Sequence, residues 1–211
     1  MRDTSTQKDF ITAGPDPHPE YNTHGFRCKE FADIDMDNYI LFSGSSHTEG
    51  VGVNPDQTFG HIVSAAMKCD QVNLGVGGGG IDTVEHNLFM WFLKYDKHPK
   101  AIVVEWPDYS RYIKDIYGQT NLCPAGMWSD SEFITYATDA LYIKGEMVYR
   151  QLHKILPVPI IDVMYYKMTN NFYVDSHVIW HSEVDKGTDN SHAGPKTHFN
   201  TAENIHNALI R

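Results

Sequence analysis

The chain predicts an α/β fold, a three-layer α/β/α sandwich built on a flavodoxin-like parallel sheet of about five strands. Two observations predict it. From Tyr39 onward, short apolar runs alternate with segments of helical period. The apolar runs are rich in β-branched residues, as strands covered on both faces require.

Taken in order, residues 1 to about 20 are polar and hold the turn formers Gly14, Pro15, Pro17 and Pro19, which predicts an arm with little regular structure. Residues 1–37 are read as this arm with a lead-in segment, and 38–211 as the domain. Strands are expected at Tyr39–Ser43, Gln71–Leu74, Ala101–Glu105 and Val158–Met164, with a shorter fifth at His177–Trp180. Helical stripes fill the gaps. Phe59, Ile62, Val63, Ala66 and Met67 form one, and Ile81, Val84, Leu88, Trp91, Phe92 and Tyr95 a second. Phe199, Ala202, Ile205 and Leu209 form the last, opened by Pro195 in the first turn. The stretch Ser129 to Leu156 is helical with an expected break near Gly145, and the aromatic-rich connection from Trp106 to Trp128 is the least regular part. In such an architecture sites lie at the carboxyl ends of the strands.

Composition narrows the function. At 211 residues, with 41% hydrophobic and 12% aromatic content, the chain suits one folded domain. A net charge of -10 argues against nucleic acid or an anionic membrane as partner, since both need a concentrated basic surface. No apolar run approaches bilayer length, and the first nine residues lack the core of a secretory leader. Cys28, Cys69 and Cys123 form neither a disulfide framework nor a zinc pattern, so a reducing, cytoplasmic setting is expected, with no metal and no cofactor.

Chemistry concentrates at three strand exits. The first reads Gly44-Ser45-Ser46-His47-Thr48-Glu49-Gly50, a hydroxyl at a strand-to-helix turn; a plain polar turn would also look this way. The second, Asn73-Leu74-Gly75-Val76-Gly77-Gly78-Gly79-Gly80, frees backbone N–H groups for an anion or oxyanion, or is simply a pliant turn. The third is Asp189-Asn190-Ser191-His192, whose spacing on a tight turn can bring a carboxylate to an imidazole Nδ1. In this chain order they supply nucleophile, general base and base-orienting acid. His177 and His181 have metal-ligand spacing only on a helix, and the residues between them suggest a strand.

These blocks resemble the SGNH (GDSL-type) hydrolase superfamily from about Tyr39 to Arg211. The lead-in Asn22-Thr23-His24-Gly25-Phe26-Arg27 also looks like that of some bacterial and viral members, so a viral source would make a virion or host-cell location possible. The resemblance implies Ser46 as nucleophile, Asp189 and His192 as the rest of a triad, and backbone N–H groups of Ser46 and Gly78 as oxyanion donors. It also implies the flavodoxin-like sandwich and hydrolysis of small acyl esters, acetylated sugars among them. Two departures stand out. Ser45 occupies the place of the family's aspartate, a turn-supporting residue. After the third strand the family's Gly-x-Asn-Asp is replaced by Trp106-Pro107-Asp108-Tyr109-Ser110-Arg111, which puts Tyr109 at the asparagine that donates to the oxyanion.

The expected function is therefore ester hydrolysis of a small-molecule or glycan ester, with His47, Trp106, Tyr109 and Arg111 as candidate pocket residues and Tyr109, Ser110 or Arg111 as substitute donors. An acyltransferase or a non-catalytic carbohydrate-binding relative is the alternative. Dinucleotide binding is a further one, since Gly75–Gly80 satisfies G-x-G-x-x-G and Glu105 ends the next strand like a ribose-binding acid.

Overall fold

The computed structural model describes residues 10–12, 20–115, 122–125, 131–165 and 178–211. In chain order the elements are β1 (Tyr39–Gly44), α1 (Ser46–Glu49), α2 (Phe59–Met67), β2 (Asp70–Gly75), α3 (Ile81–Lys94) and β3 (Ile102–Trp106). There follow β4 (Tyr112–Asp115), β5 (Leu122–Ala125), α4 (Ser131–Ile155), β6 (Ile160–Tyr165), β7 (Ile179–His181) and α5 (Pro195–Leu209). Strands β2-β1-β3-β6-β7 form one five-stranded sheet in that order, every pairing parallel. The predicted sandwich is the observed one.

Side-chain alternation explains the layers. Along β1 and β3, Tyr39, Leu41, Ile102 and Val104 pack on the α3 and α4 side with Leu88, Trp91 and Leu152. Their neighbours Ile40, Phe42 and Val103 pack on the opposite side with Phe59, Val63, Ala202 and Ile205 of α2 and α5. A strand buried on both faces needs an unbroken apolar run, which is what these segments provide.

Four details differ from expectation. Helix α4 runs through Gly145 without a break. An interior glycine costs a helix only about 1 kcal/mol, and buried Val148, Tyr149 and Leu152 in the following turns hold it to the sheet. The Trp106–Trp128 connection contains an antiparallel hairpin, β4 with β5, while Trp128 itself lies outside the described residues. Phe199 is on the solvent side of α5, whose buried face instead carries His198 and Thr201. The lead-in is no separate unit: Phe10, Phe26, Phe31 and Ile34 join the main core, and the Phe31 ring meets Trp91 edge-on at 5.0 Å.

Candidate active site

The first strand exit is shaped by what its glycine excludes. A Cβ on Gly44 would lie 2.2 Å from Thr48 Oγ1 and 2.7 Å from the Glu105 carbonyl, so α1 can start directly above the sheet only over a glycine. Ser46 is the first residue of α1 and is buried, and its N–H has no acceptor within the helix. Gly50, at φ 85°, ends the turn with its N–H on the Ser46 carbonyl.

The lead-in braces this turn from outside. The Arg27 guanidinium donates to the carbonyls of Gly50 and of Val53, the latter at 2.8 Å, and pairs with Glu20. The Tyr21 hydroxyl donates to Glu49 Oε1 at 2.5 Å. Burial, and the Glu49 carboxylate beside it, push the Tyr21 phenol well above its ordinary range.

Beside α1 runs the glycine-rich exit of β2. Asn73 ties the two together, its Nδ2 donating to the Thr48 carbonyl at 2.8 Å while Oδ1 accepts the Gly75 N–H at 2.9 Å. A Cβ on Gly75 would come within 2.3 Å of the Glu49 nitrogen and 2.7 Å of the Thr48 carbonyl carbon, both backbone atoms of α1. Gly75→Ala must therefore displace α1. Overpacking of this kind costs on the order of 1–3 kcal/mol, and a fall of that size in urea-melt stability is the expected result. Gly78, at φ 74°, takes the left-handed conformation that reverses the loop, and among the described residues its N–H has no backbone acceptor.

The third exit follows β7. Asp185 accepts from the N–H groups of Lys196 and Thr197 and from the Thr197 hydroxyl, fixing the start of α5. Asp189 Oδ1 accepts the N–H groups of Ser191 and His192, each at 3.0 Å, and Oδ2 lies 2.5 Å from His192 Nδ1. A carboxylate only accepts, so Nδ1 carries the proton and Nε2 keeps its lone pair. The hydrogen bond to His192, then the two backbone N–H groups, hold the Asp189 carboxyl far below the usual range. This loop docks on the first exit: the Thr188 N–H donates to the Gly52 carbonyl at 2.8 Å. A Cβ on Gly52 would sit 2.8 Å from Asp189 Oδ1.

The structure thus gathers all three exits at the carboxyl ends of the strands. Asp189 and His192 are directly paired, and the His192 ring lies 5.7 Å from that of His47, the residue after Ser46. Among the described residues no hydrogen bond joins the Ser46 hydroxyl to His192. His47 is half-buried. Burial, with the neighbouring His192, His198 and Arg111, pushes its imidazole down to about 3, so it is neutral at pH 7. The Arg111 backbone packs against Gly80, and Tyr109 is half-buried with its ring edge-on to Tyr142 at 5.8 Å. Of the two places open to Trp106, pocket wall or core packing at the strand end, the structure shows the second. It is fully buried and its indole N–H donates to Asp162 at 2.7 Å, so it is not a pocket residue.

Three further buried residues lie beside the site in places the sequence did not reveal. His181 and His198 are fully buried behind His47, with ring separations of 4.9 Å from His47 to His181 and 5.8 Å from His181 to His198. His181 lies on a strand, and its spacing partner His177 falls outside the described residues. The third is Glu105, which is fully buried and hydrogen-bonded to Ser45. That placement commits Glu105 to Ser45 rather than to a ribose, so the dinucleotide reading loses its acid. Among the described residues no group of three or more His, Cys, Asp or Glu could hold a metal. Cys28 and Cys69 are unbridged, and the Cys123 side chain lies outside the described residues.

No protein-family model matches the chain, and no curated protein matches it in sequence. Among solved structures it is similar to a carbohydrate esterase whose active site displays divergent catalytic and non-catalytic binding functions, at 16% identity and TM-score 0.51, over 85% of this chain and 70% of that one. It is similar to an acetyl xylan esterase from the rumen bacterium Butyrivibrio proteoclasticus, at 16% identity and TM-score 0.49, over 82% and 63%. A third is AlinE4, an SGNH-hydrolase family esterase, at 13% identity and TM-score 0.40, over 60% and 58%. The chain thus spans less than two thirds of the length of the last two. At such identities the likeness is one of fold, the three-layer α/β/α sandwich. Within it, the likeness with the highest of these TM-scores is to a carbohydrate esterase.

Proposed function

We propose that the protein is a serine ester hydrolase. The observation that carries this reading is the Asp189–His192 pair, anchored by Thr188 on the loop that follows the Ser46 turn. Ser46 Oγ attacks the acyl carbonyl and His192 Nε2 accepts its proton. Asp189 holds the imidazole in the required tautomer and stabilises it when protonated. The N–H groups of Ser46 and Gly78 receive the developing oxyanion. His192 then gives its proton to the departing alcohol as the C–O bond breaks, leaving Ser46 acylated. Water deprotonated by His192 attacks the acyl carbon to release the acid and restore the Ser46 hydroxyl. The third donor of the family pattern is replaced here, and Tyr109, Ser110 and Arg111 are the candidates for that place.

The substrate class to test first is an O-acetylated carbohydrate, because the fold is shared with a carbohydrate esterase. Trp106 no longer supports sugar stacking, which leaves His47, Tyr109 and Arg111 as the candidate contacts. The unbridged Cys28 and Cys69 fit a reducing compartment, and among the described residues no helix is long and apolar enough to cross a membrane.

The test is labelling with a fluorophosphonate probe followed by peptide mapping, together with acetate release from a panel of acetylated glycans. Ser46 should carry the label, and absence of labelling would overturn the nucleophile assignment. Asp189→Asn should keep the fold but favour the wrong imidazole tautomer, lowering kcat by on the order of 10²–10⁴ with little change in KM. An unchanged kcat would remove Asp189 from the mechanism.

A further inference from the structure

Glu105 lies at the carboxyl end of β3, is 1% exposed, and among the described residues pairs with no cation. Its Oε2 accepts three hydrogen bonds, all from the nucleophile turn: the Ser45 N–H at 2.7 Å, the Ser45 hydroxyl at 2.8 Å and the Thr48 hydroxyl at 3.3 Å. Burying a carboxylate without a cation is costly unless several donors compensate it. Here the turn supplies all the donors seen, from both sides of Ser46. Gly44 lets the carboxylate approach, since a Cβ there would lie 2.8 Å from Glu105 Oε2.

We infer that Glu105 is a positioning residue for Ser46, the carboxylate that fixes the turn from across the sheet. The inference rests on the esterase reading for its kinetic consequences. Strand β3 is paired to β1 through Ser43 and Val104, so Glu105 is anchored on the element beside the turn it holds. The carboxylate and the Ser45 hydroxyl are direct partners, and their roles are therefore exchangeable. An aspartate at 45 opposite Glu105 would set two buried carboxylates together, whereas opposite a glutamine it would accept from the amide.

The test is a double-mutant cycle on a short-chain p-nitrophenyl ester, with fluorophosphonate labelling rates as a second readout. Glu105→Ala should lower kcat about 10²-fold, the size expected for a misplaced reacting group, with KM nearly unchanged. Glu105→Gln, which keeps an acceptor oxygen, should lose much less. Ser45→Asp alone should fall as far as Glu105→Ala, and Ser45→Asp with Glu105→Gln should return to within about tenfold of wild type. Wild-type kcat in Glu105→Ala, or a double variant no better than Ser45→Asp, would overturn the inference. If Glu105→Ala does not fold, the two Ser45→Asp variants decide by the same criterion. If the wild-type protein neither hydrolyses nor labels, the esterase reading falls, and amide hydrogen exchange at residues 45–49 then tests Glu105 alone. Faster exchange in Glu105→Ala supports its hold on the turn, and unchanged exchange refutes it.

Discussion

Ser46→Ala should abolish ester turnover, with a fall in kcat on the order of 10⁴-fold or more, and should abolish fluorophosphonate labelling. The size follows from the role. Without the hydroxyl no acyl-enzyme forms, and only the oxyanion donors and substrate binding remain to accelerate direct attack by water. The variant should fold normally, because among the described residues the Ser46 side chain makes no hydrogen bond that alanine would lose. Circular dichroism and a urea melt superimposable on wild type are the control. Retained turnover in a folded Ser46→Ala protein would refute the mechanism, whatever the fate of Asp189 and His192.

Acid should unfold this protein well before its carboxylates account for it. Burial pushes the His181 imidazole down to about 4 and that of His198 to about 3, and His47 is shifted the same way. Glu105 and Glu183 pull His181 back upward but do not offset its burial. For a histidine depressed in the folded state, the unfolded chain binds the proton first. Stability is therefore complete above about pH 6.5 and is lost as pH falls toward 4. One unit below the unfolded value, each such group costs about 1.4 kcal/mol. Counting only the two fully buried rings gives about 3 kcal/mol at pH 5.5, a large part of the 5–15 kcal/mol typical of a domain. Urea melts at pH 7.5 and 5.5 should show that loss. Equal midpoints would mean that the histidines open to solvent without unfolding. Any activity should fall on the acid side with the melt, as the folded fraction is lost.

Much of the fold was legible because its signals are local. Runs such as Ile102, Val103 and Val104 can satisfy only a strand with cover on both sides, and the stripe from Ile81 to Trp91 only a helix with one buried face. The pairing of Asp189 with His192 was legible for the same reason: three residues and a tight turn suffice. What stayed hidden depends on partners distant in sequence. Nothing near Glu105 says that its carboxylate will serve Ser45, 60 residues away. His198 sits among polar neighbours on α5 yet is buried against α2, where the Phe59 N–H, 139 residues upstream, donates to its Nδ1. Trp106 could be pocket wall or strand-end core, and only the Asp162 carboxylate holding its indole decides for the core. Gly145 was misread because local helix cost was weighed without the tertiary contacts that outweigh it.

The hydroxyl contact from Thr188 to the Gly52 carbonyl spans 136 residues. During synthesis the ribosome therefore releases the nucleophile's turn long before the segment bearing its base exists outside the exit tunnel. On the proposed mechanism, a nascent chain halted anywhere before Asp189 would carry an inert serine, however well its early strands had collapsed. Chemical competence on that mechanism should arrive only once the Asp189–His192 segment has emerged and docked on Gly52.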